Sequence, residues 1–253
     1  LNPWGSDFFY PNFITKLLQK FINNNIIFTD SFIIKNKLKA KNKLFKINFG
    51  VDLNFFKIKK KIKKKNKKKI IFCPRGYSKL YNQFLIIKFI KSNVASLKNF
   101  LFVFCGSVNA QEYKLLKNYV AKNKLKKNVR LLTNLNKIQY RNYLLKSFLV
   151  ISASKSDAGL SSAIAEAMSC KCLVLCTNNR DNPFWIKHQK SGFLFQNNNL
   201  KDFTKKFFEI LKFSNNKINK IKDNSRMVQL KNNNLDDEML KVEKIYKKVA
   251  NKS

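Results

Sequence analysis

Acidic side chains are scarce in this sequence: 14 Asp and Glu stand against 52 Lys and Arg among 253 residues, a formal charge of +38. Histidine is scarcer still. His188 stands alone, too few beside the cysteines to complete a zinc site. The five cysteines, Cys73, Cys105, Cys170, Cys172 and Cys176, form no CxxC pair. Four of them sit in or beside apolar runs (IIFC, LFVFC, KCLVLC) and read as small buried hydrophobes of a reducing compartment. A metal site built from Cys170, Cys172 and Cys176 is the rival reading. No apolar run approaches the ~20 residues of a membrane span. Residues 1–10 lack the basic start and apolar core of a signal peptide. No Asp-x-Asp metal motif occurs anywhere.

What is present excludes a disordered chain, since 45% of residues are hydrophobic and 13% aromatic. The length accommodates one large or two small domains with a sizeable core. The positive charge has two readings. Lys, Asn, Ile and Phe are raised together, as composition drift in an A/T-rich genome produces. Alternatively, lysines attract phosphates of nucleic acid or of an anionic membrane surface. The excess runs from residue 16 to residue 252 without any DNA- or RNA-binding motif, so no nucleic-acid partner is expected.

One boundary is visible at KIKKKIKKKNKKK, residues 57–69, whose like charges resist packing into a core. After it, short apolar runs alternate with helical patterns. Strands are predicted at 70–74, 101–106, 129–134, 147–154, 171–177 and 192–196, with helices at about 80–92, 110–123, 137–146, 161–169 and 200–212. Continuous apolar strands separated by amphipathic helices indicate an α/β fold, a doubly wound parallel sheet of Rossmann type. Ahead of the lysine run, residues 1–56 predict a helix (11–23), a strand (26–31), a helix (32–40) and a strand (46–50). Two strands make no independent sheet, so this part reads as the tail of another domain. Residues 224–249 are helical in pattern.

Two of the few acids fall within one small-residue window, SASKSDAGLSSAIAEAMSC, residues 152–170. The strand before it ends at the ligand-binding edge of the sheet, and a helix starts near Ser161. A helix N-terminus offers free amides and partial positive charge to a phosphate. Gly159 permits close approach of a ligand, and Ser161 or Ser162 can cap the helix. Glu166, one turn on, is placed to accept hydrogen bonds from a ribose. The same pattern also describes an ordinary capped helix with an exposed glutamate.

The run SDAGLSSAIAEAMSCKCLVLCTNN resembles the donor-binding signature of the group 1 (family 4) glycosyltransferases, which have the GT-B fold of two Rossmann-like domains. GVDLNFF (50–56), IIFCPRGYSKLYN (70–82), FCGSVNAQEYKLL (104–116), NNRDNPFWIKHQKSGFLF (178–195) and PWGSD (3–7) resemble further family segments in the same order. The resemblance implies a donor-binding domain over 70–222 and a Lys-rich linker over 57–69. It makes 1–56 a remnant of the acceptor-side domain and 223–253 a C-terminal helix crossing back to it. It implies transfer of a sugar with retention from a nucleotide-diphosphate sugar, without metal or other cofactor, to a sugar or lipid-linked acceptor. The setting would be cytoplasmic, with peripheral contact at the inner face of a membrane, in polysaccharide, lipopolysaccharide or glycolipid synthesis.

Residue by residue, Glu166 matches the glutamate that holds the donor ribose. Gly159, Leu160, Ser161 and Ser162 match the loop and helix start at the diphosphate and sugar. Arg75 matches the arginine that neutralises the leaving group, and Lys79 its companion lysine at slightly short spacing. Gly76 and Gly106 lie in the two loops of the phosphate side. Asn182 and Trp185 fall in the segment lining the nucleotide side of the cleft. The pattern's first acid, eight residues before Glu166, is Ala158 here, with the carboxylate one place earlier at Asp157. Most of the acceptor-side domain is missing, so the chain is expected to be an incomplete reading frame that binds donor but does not transfer alone. The rival functions are a GT-B epimerase, a nucleotide-sugar-binding remnant, and a basic nucleic-acid- or lipid-binding module.

Overall fold

The structure, a computed structural model, describes residues 27–37, 44–58, 68–107 and 109–250. The helix predicted over 11–23 and most of the lysine run lie outside the described residues. β1 (Ile27–Thr29), α1 (Phe32–Lys37) and β2 (Leu44–Lys46) form a small unit with β1 and β2 parallel. From Lys69 onward β3 (Lys69–Cys73), α2 (Gln83–Ser92), β4 (Phe100–Cys105), α3 (Ala110–Lys122), β5 (Val129–Leu132) and α4 (Lys137–Lys146) alternate. β6 (Ser147–Ser152), α5 (Ser162–Ser169), β7 (Val174–Asn178), α6 (Asn182–Trp185), β8 (Phe193–Gln196) and α7 (Leu200–Leu211) continue the pattern. α8 (Asn215–Asn232) and α9 (Leu235–Ala250) follow.

The large sheet is parallel throughout, in the order β5-β4-β3-β6-β7-β8. Its strands carry apolar side chains on both faces because helices cover both. Ile71, Cys73, Phe102, Phe104, Leu149 and Ile151 join one core with α2, α3 and α7. Ile70, Phe72, Val103, Cys105, Val150 and Val174 join the other with α5 and α6. The abundant phenylalanines fill the first core: Phe89 meets Phe203 edge-on at 5.0 Å and Phe207 at 4.9 Å. All five cysteines are buried and unpaired, and burial raises the thiols of Cys73, Cys170 and Cys176 far above their ordinary range.

Asparagines start several helices. Asn136 and Gln139 make a reciprocal capping box on α4, and Asn109 and Asn199 accept from amides of α3 and α7. Three expectations are corrected. The strand predicted over 46–50 reaches only Lys46, because the Asn48 and Gly50 amides donate to Glu238 and Asn233 side chains instead of a strand. The single C-terminal helix is two helices: at Asn233 the backbone leaves the helix to pair with Val51, which donates to the Asn233 carbonyl at 2.8 Å. β7 starts at Val174 rather than 171, since Lys171 is left-handed and the Cys172 amide still donates to Ala167. The four-residue α6 had no periodic signal to betray it.

The chain returns at its end to its first described strands. Phe28 of β1 meets Tyr246 of α9 at 5.7 Å, and Glu238 of α9 accepts from Asn48.

Candidate functional site

The strand order reverses between β3 and β6, and the loops after their carboxyl ends form the crevice where such sheets bind ligands. Arg75 lies in the first loop and Asp157 in the second. Arg75 Nη2 lies 2.6 Å from Asp157 Oδ1, with side-chain exposures of 14% and 6%. Ser154 Oγ donates to the same carboxylate oxygen at 3.1 Å. The Arg75 guanidinium stands over the Tyr81 ring at 4.3 Å, and Gln83 Nε2 donates to the Arg75 carbonyl at 2.6 Å. The arginine is thereby fixed from three sides, yet its Nε is buried without a partner. Such a donor is available to a ligand oxygen or to a water.

Gly76 and Gly106 bring the loops after β3 and β4 together. A Cβ on Gly106 would fall 2.6 Å from the Gly76 Cα, a distance only glycine permits. Tyr77 N–H donates to the Ser107 carbonyl at 2.9 Å, closing the contact.

The second half of the crevice is the start of α5. Ser161 occupies its N-cap position in extended backbone, but its hydroxyl makes no capping bond and is buried without a partner. The Ile164 amide already donates to the Ser161 carbonyl at 3.0 Å, while the Ser162 and Ala163 amides have no intrahelical acceptor. Leu160 is buried, Ala158 half-buried and Ser162 exposed. Gly159 is left-handed at φ +69 and donates its N–H to Asp181 Oδ2 at 2.7 Å. Its amide is thus already engaged. Asp181, fully buried, also accepts from the Ser31 hydroxyl and the Ile33 amide at the start of α1. One carboxylate therefore joins the small N-terminal unit to the α5 loop. Asp157, the carboxylate one place before Ala158, is paired with Arg75.

Glu166 reaches the first turn of α4. It is hydrogen-bonded with Tyr140, and Lys137 lies nearby; burial nonetheless raises its pKa to about 7. A carboxylate lifted from its ordinary value by folding stabilises the protein while protonated, and that contribution is lost as pH rises from about 4.5 through 7. Glu166→Gln is therefore expected to melt about 3 °C above the wild type at pH 8. The gap should close toward pH 4.5, as thermal unfolding across pH would show. A glutamate tolerated at a cost to stability is what a binding site produces.

Two candidates lie apart. Lys79 is 84% exposed and 4.0 Å from Glu112, on the rim of a separate cavity shared with Asn82, Leu116 and Lys155. Asn182 is buried, its amide donating to the Thr177 carbonyl at 3.0 Å and to Asn179. Trp185 is buried beside Phe32 of α1, at the seam with the small unit. The sequence did not disclose Tyr81, Tyr140, Asp181 or Asp30. Asp181 and Asp30 share one legible trait, a carboxylate within three residues of a strand's end in an acid-poor chain.

The family described as Glycosyl transferases group 1 matches residues 54–228, most of the chain. The chain belongs to the group 1 glycosyltransferases. A glycosyltransferase from Rickettsia africae superposes on this one with a TM-score of 0.81 at 20% identity, covering 100% of this chain and 69% of that one. Anabaena HepE, in complex with UDP and glucose, gives 0.84 at 14% identity over 97% and 70%. Sucrose-phosphate synthase from Thermosynechococcus elongatus gives 0.81 at 14% identity over 96% and 63%. These similarities concern the fold, in which the six-stranded parallel sheet and its helices are of GT-B type. No curated protein sequence matches this glycosyltransferase.

Proposed function

We propose that the chain binds a nucleoside-diphosphate sugar across the start of α5 and serves its retaining transfer, without metal, to a sugar or lipid-linked acceptor. The observation that carries the reading is the convergence of the Arg75 guanidinium, fixed by Asp157 and Tyr81, with the start of α5. They belong to the two loops of one sheet crevice, where the helix offers its free amides. Breaking the sugar–phosphate bond leaves its electron pair on the diphosphate oxygen. Arg75, held in place by Asp157, and the α5 dipole stabilise that charge. Glu166 receives the ribose hydroxyls. The acceptor hydroxyl bonds to the sugar, and its proton passes to the departing diphosphate oxygen.

HepE, which binds UDP and glucose, has the same fold and supports a uridine nucleotide as first probe. Polysaccharide, lipopolysaccharide or glycolipid synthesis is the proposed setting. The charge of +38 would favour an anionic membrane surface, and no described helix is long and apolar enough to cross a membrane.

Titration with UDP, GDP and a DNA duplex at low and high salt tests the reading. Nucleotide binding is expected to survive high salt and to weaken about tenfold in Glu166→Ala, the loss of a hydrogen bond to a charged group. Binding to the duplex alone, vanishing with salt, would replace the transferase pocket by a basic surface.

A further inference from the structure

Ala158 presents a methyl group where a carboxylate would meet donor hydroxyls, Asp157 is bound to Arg75, and Asp181 is engaged by Ser31, Ile33 and Gly159. One more carboxylate reaches this loop, from outside the donor domain. Asp30 follows β1, and its side chain presses on Gly159 so closely that a Cβ there would lie 2.0 Å from Asp30 Oδ2. With Leu160, Ser162, Ala165 and Trp185 it lines a narrow cleft beside the helix start. The one hydrogen bond its carboxylate takes among the described residues comes from its own backbone, leaving most of its accepting capacity free.

The two carboxylates flanking α5 lie on different sides. Ser162 and Ala165 line the Asp30 cleft, whereas Glu166, about 100° round the helix from Ala165 and about 40° from Ser162, bonds Tyr140 of α4. A nucleotide sugar is ordered ribose, diphosphate, sugar. With the ribose at Glu166 and the diphosphate over the helix amides, the sugar extends toward the other flank. We infer that Asp30, delivered by the N-terminal unit, is the residue that hydrogen-bonds the donor's sugar hydroxyls and replaces the acid missing at Ala158. This assignment rests on the nucleotide-sugar reading above. Burial and the nearby Asp181 raise Asp30 to about 7, partly offset by Lys46. Near neutral pH it therefore offers both a carboxylic O–H to donate and a carboxylate to accept.

The test titrates the full chain, Asp30→Asn, Asp30→Ala and Glu166→Ala with UDP and GDP, and with UDP-glucose and GDP-mannose. Both Asp30 variants are expected to keep the affinity for the free diphosphate within about twofold. They should bind the preferred nucleotide sugar about tenfold more weakly, the effect of one lost hydrogen bond to a charged partner. Equal losses for diphosphate and nucleotide sugar, or no loss for either, overturn the assignment to Asp30 while leaving the pocket intact. If the wild type binds none of the four probes, or Glu166→Ala changes nothing, the nucleotide-sugar reading itself fails and Asp30 falls with it. The asparagine variant keeps the size of the side chain, and its thermal unfolding beside the wild type separates a folding defect from a recognition defect.

Discussion

Replacing Arg75 by alanine is expected to lower the unfolding free energy by about 3 kcal/mol, the lower end of what breaking a buried ion pair costs. The cause is the carboxylate left behind. Asp157 is 6% exposed and would keep only the Ser154 hydroxyl as a side-chain partner. Urea unfolding of Arg75→Ala, Asp157→Asn and the double variant would show the double variant more stable than Arg75→Ala alone, since no uncompensated charge remains. The same arginine distinguishes parts of the ligand. Arg75→Ala should weaken binding of UDP more than a hundredfold, and that of uridine by less than about threefold, because only the diphosphate develops the charge it meets. Equal losses for the two would remove Arg75 from the leaving-group role.

Gly159→Ala carries the second large effect. Its φ of +69 is left-handed, a conformation costing a side-chain-bearing residue roughly 1–2 kcal/mol. The added methyl also collides with the Asp30 carboxylate, which must swing away from the loop. A total loss of about 3 kcal/mol is expected in urea unfolding. Combining it with Asp30→Ala should recover the collision but not the backbone cost, so the two substitutions are non-additive. A loss in Gly159→Ala no larger than the backbone cost alone would mean that the N-terminal unit does not sit on the loop in solution.

The contrast between what the sequence disclosed and what it withheld follows from distance along the chain. The strands were legible because β3, β4 and β6 are apolar on both faces, a pattern only a doubly covered sheet requires. Glu166 and the α5 start were legible because loop, cap and carboxylate lie within one short window. Asp181 was not: it bonds Gly159, 22 residues away, and Ser31, 150 residues away, and no local pattern announces such partners. Asp30 looked like the end of a strand for the same reason. The loop at 48–50 misled for a related one. Its alternation suits a strand, but the acceptors that claim its amides belong to Glu238 and Asn233 near the other end of the chain. Asn182 follows the loop after β7, and its amide is directed inward by a turn the periodicity does not encode.

The tie made by Asp181, together with the bonds from Asn233 and Glu238 to residues 48–51, has a mechanical consequence. Strand β1 and its neighbours must travel with the donor half as a single lever arm, whatever the intervening lysines do. Any swing that admits or releases a substrate needs its pivot elsewhere, and Asp30 would keep its station over the pocket throughout the motion.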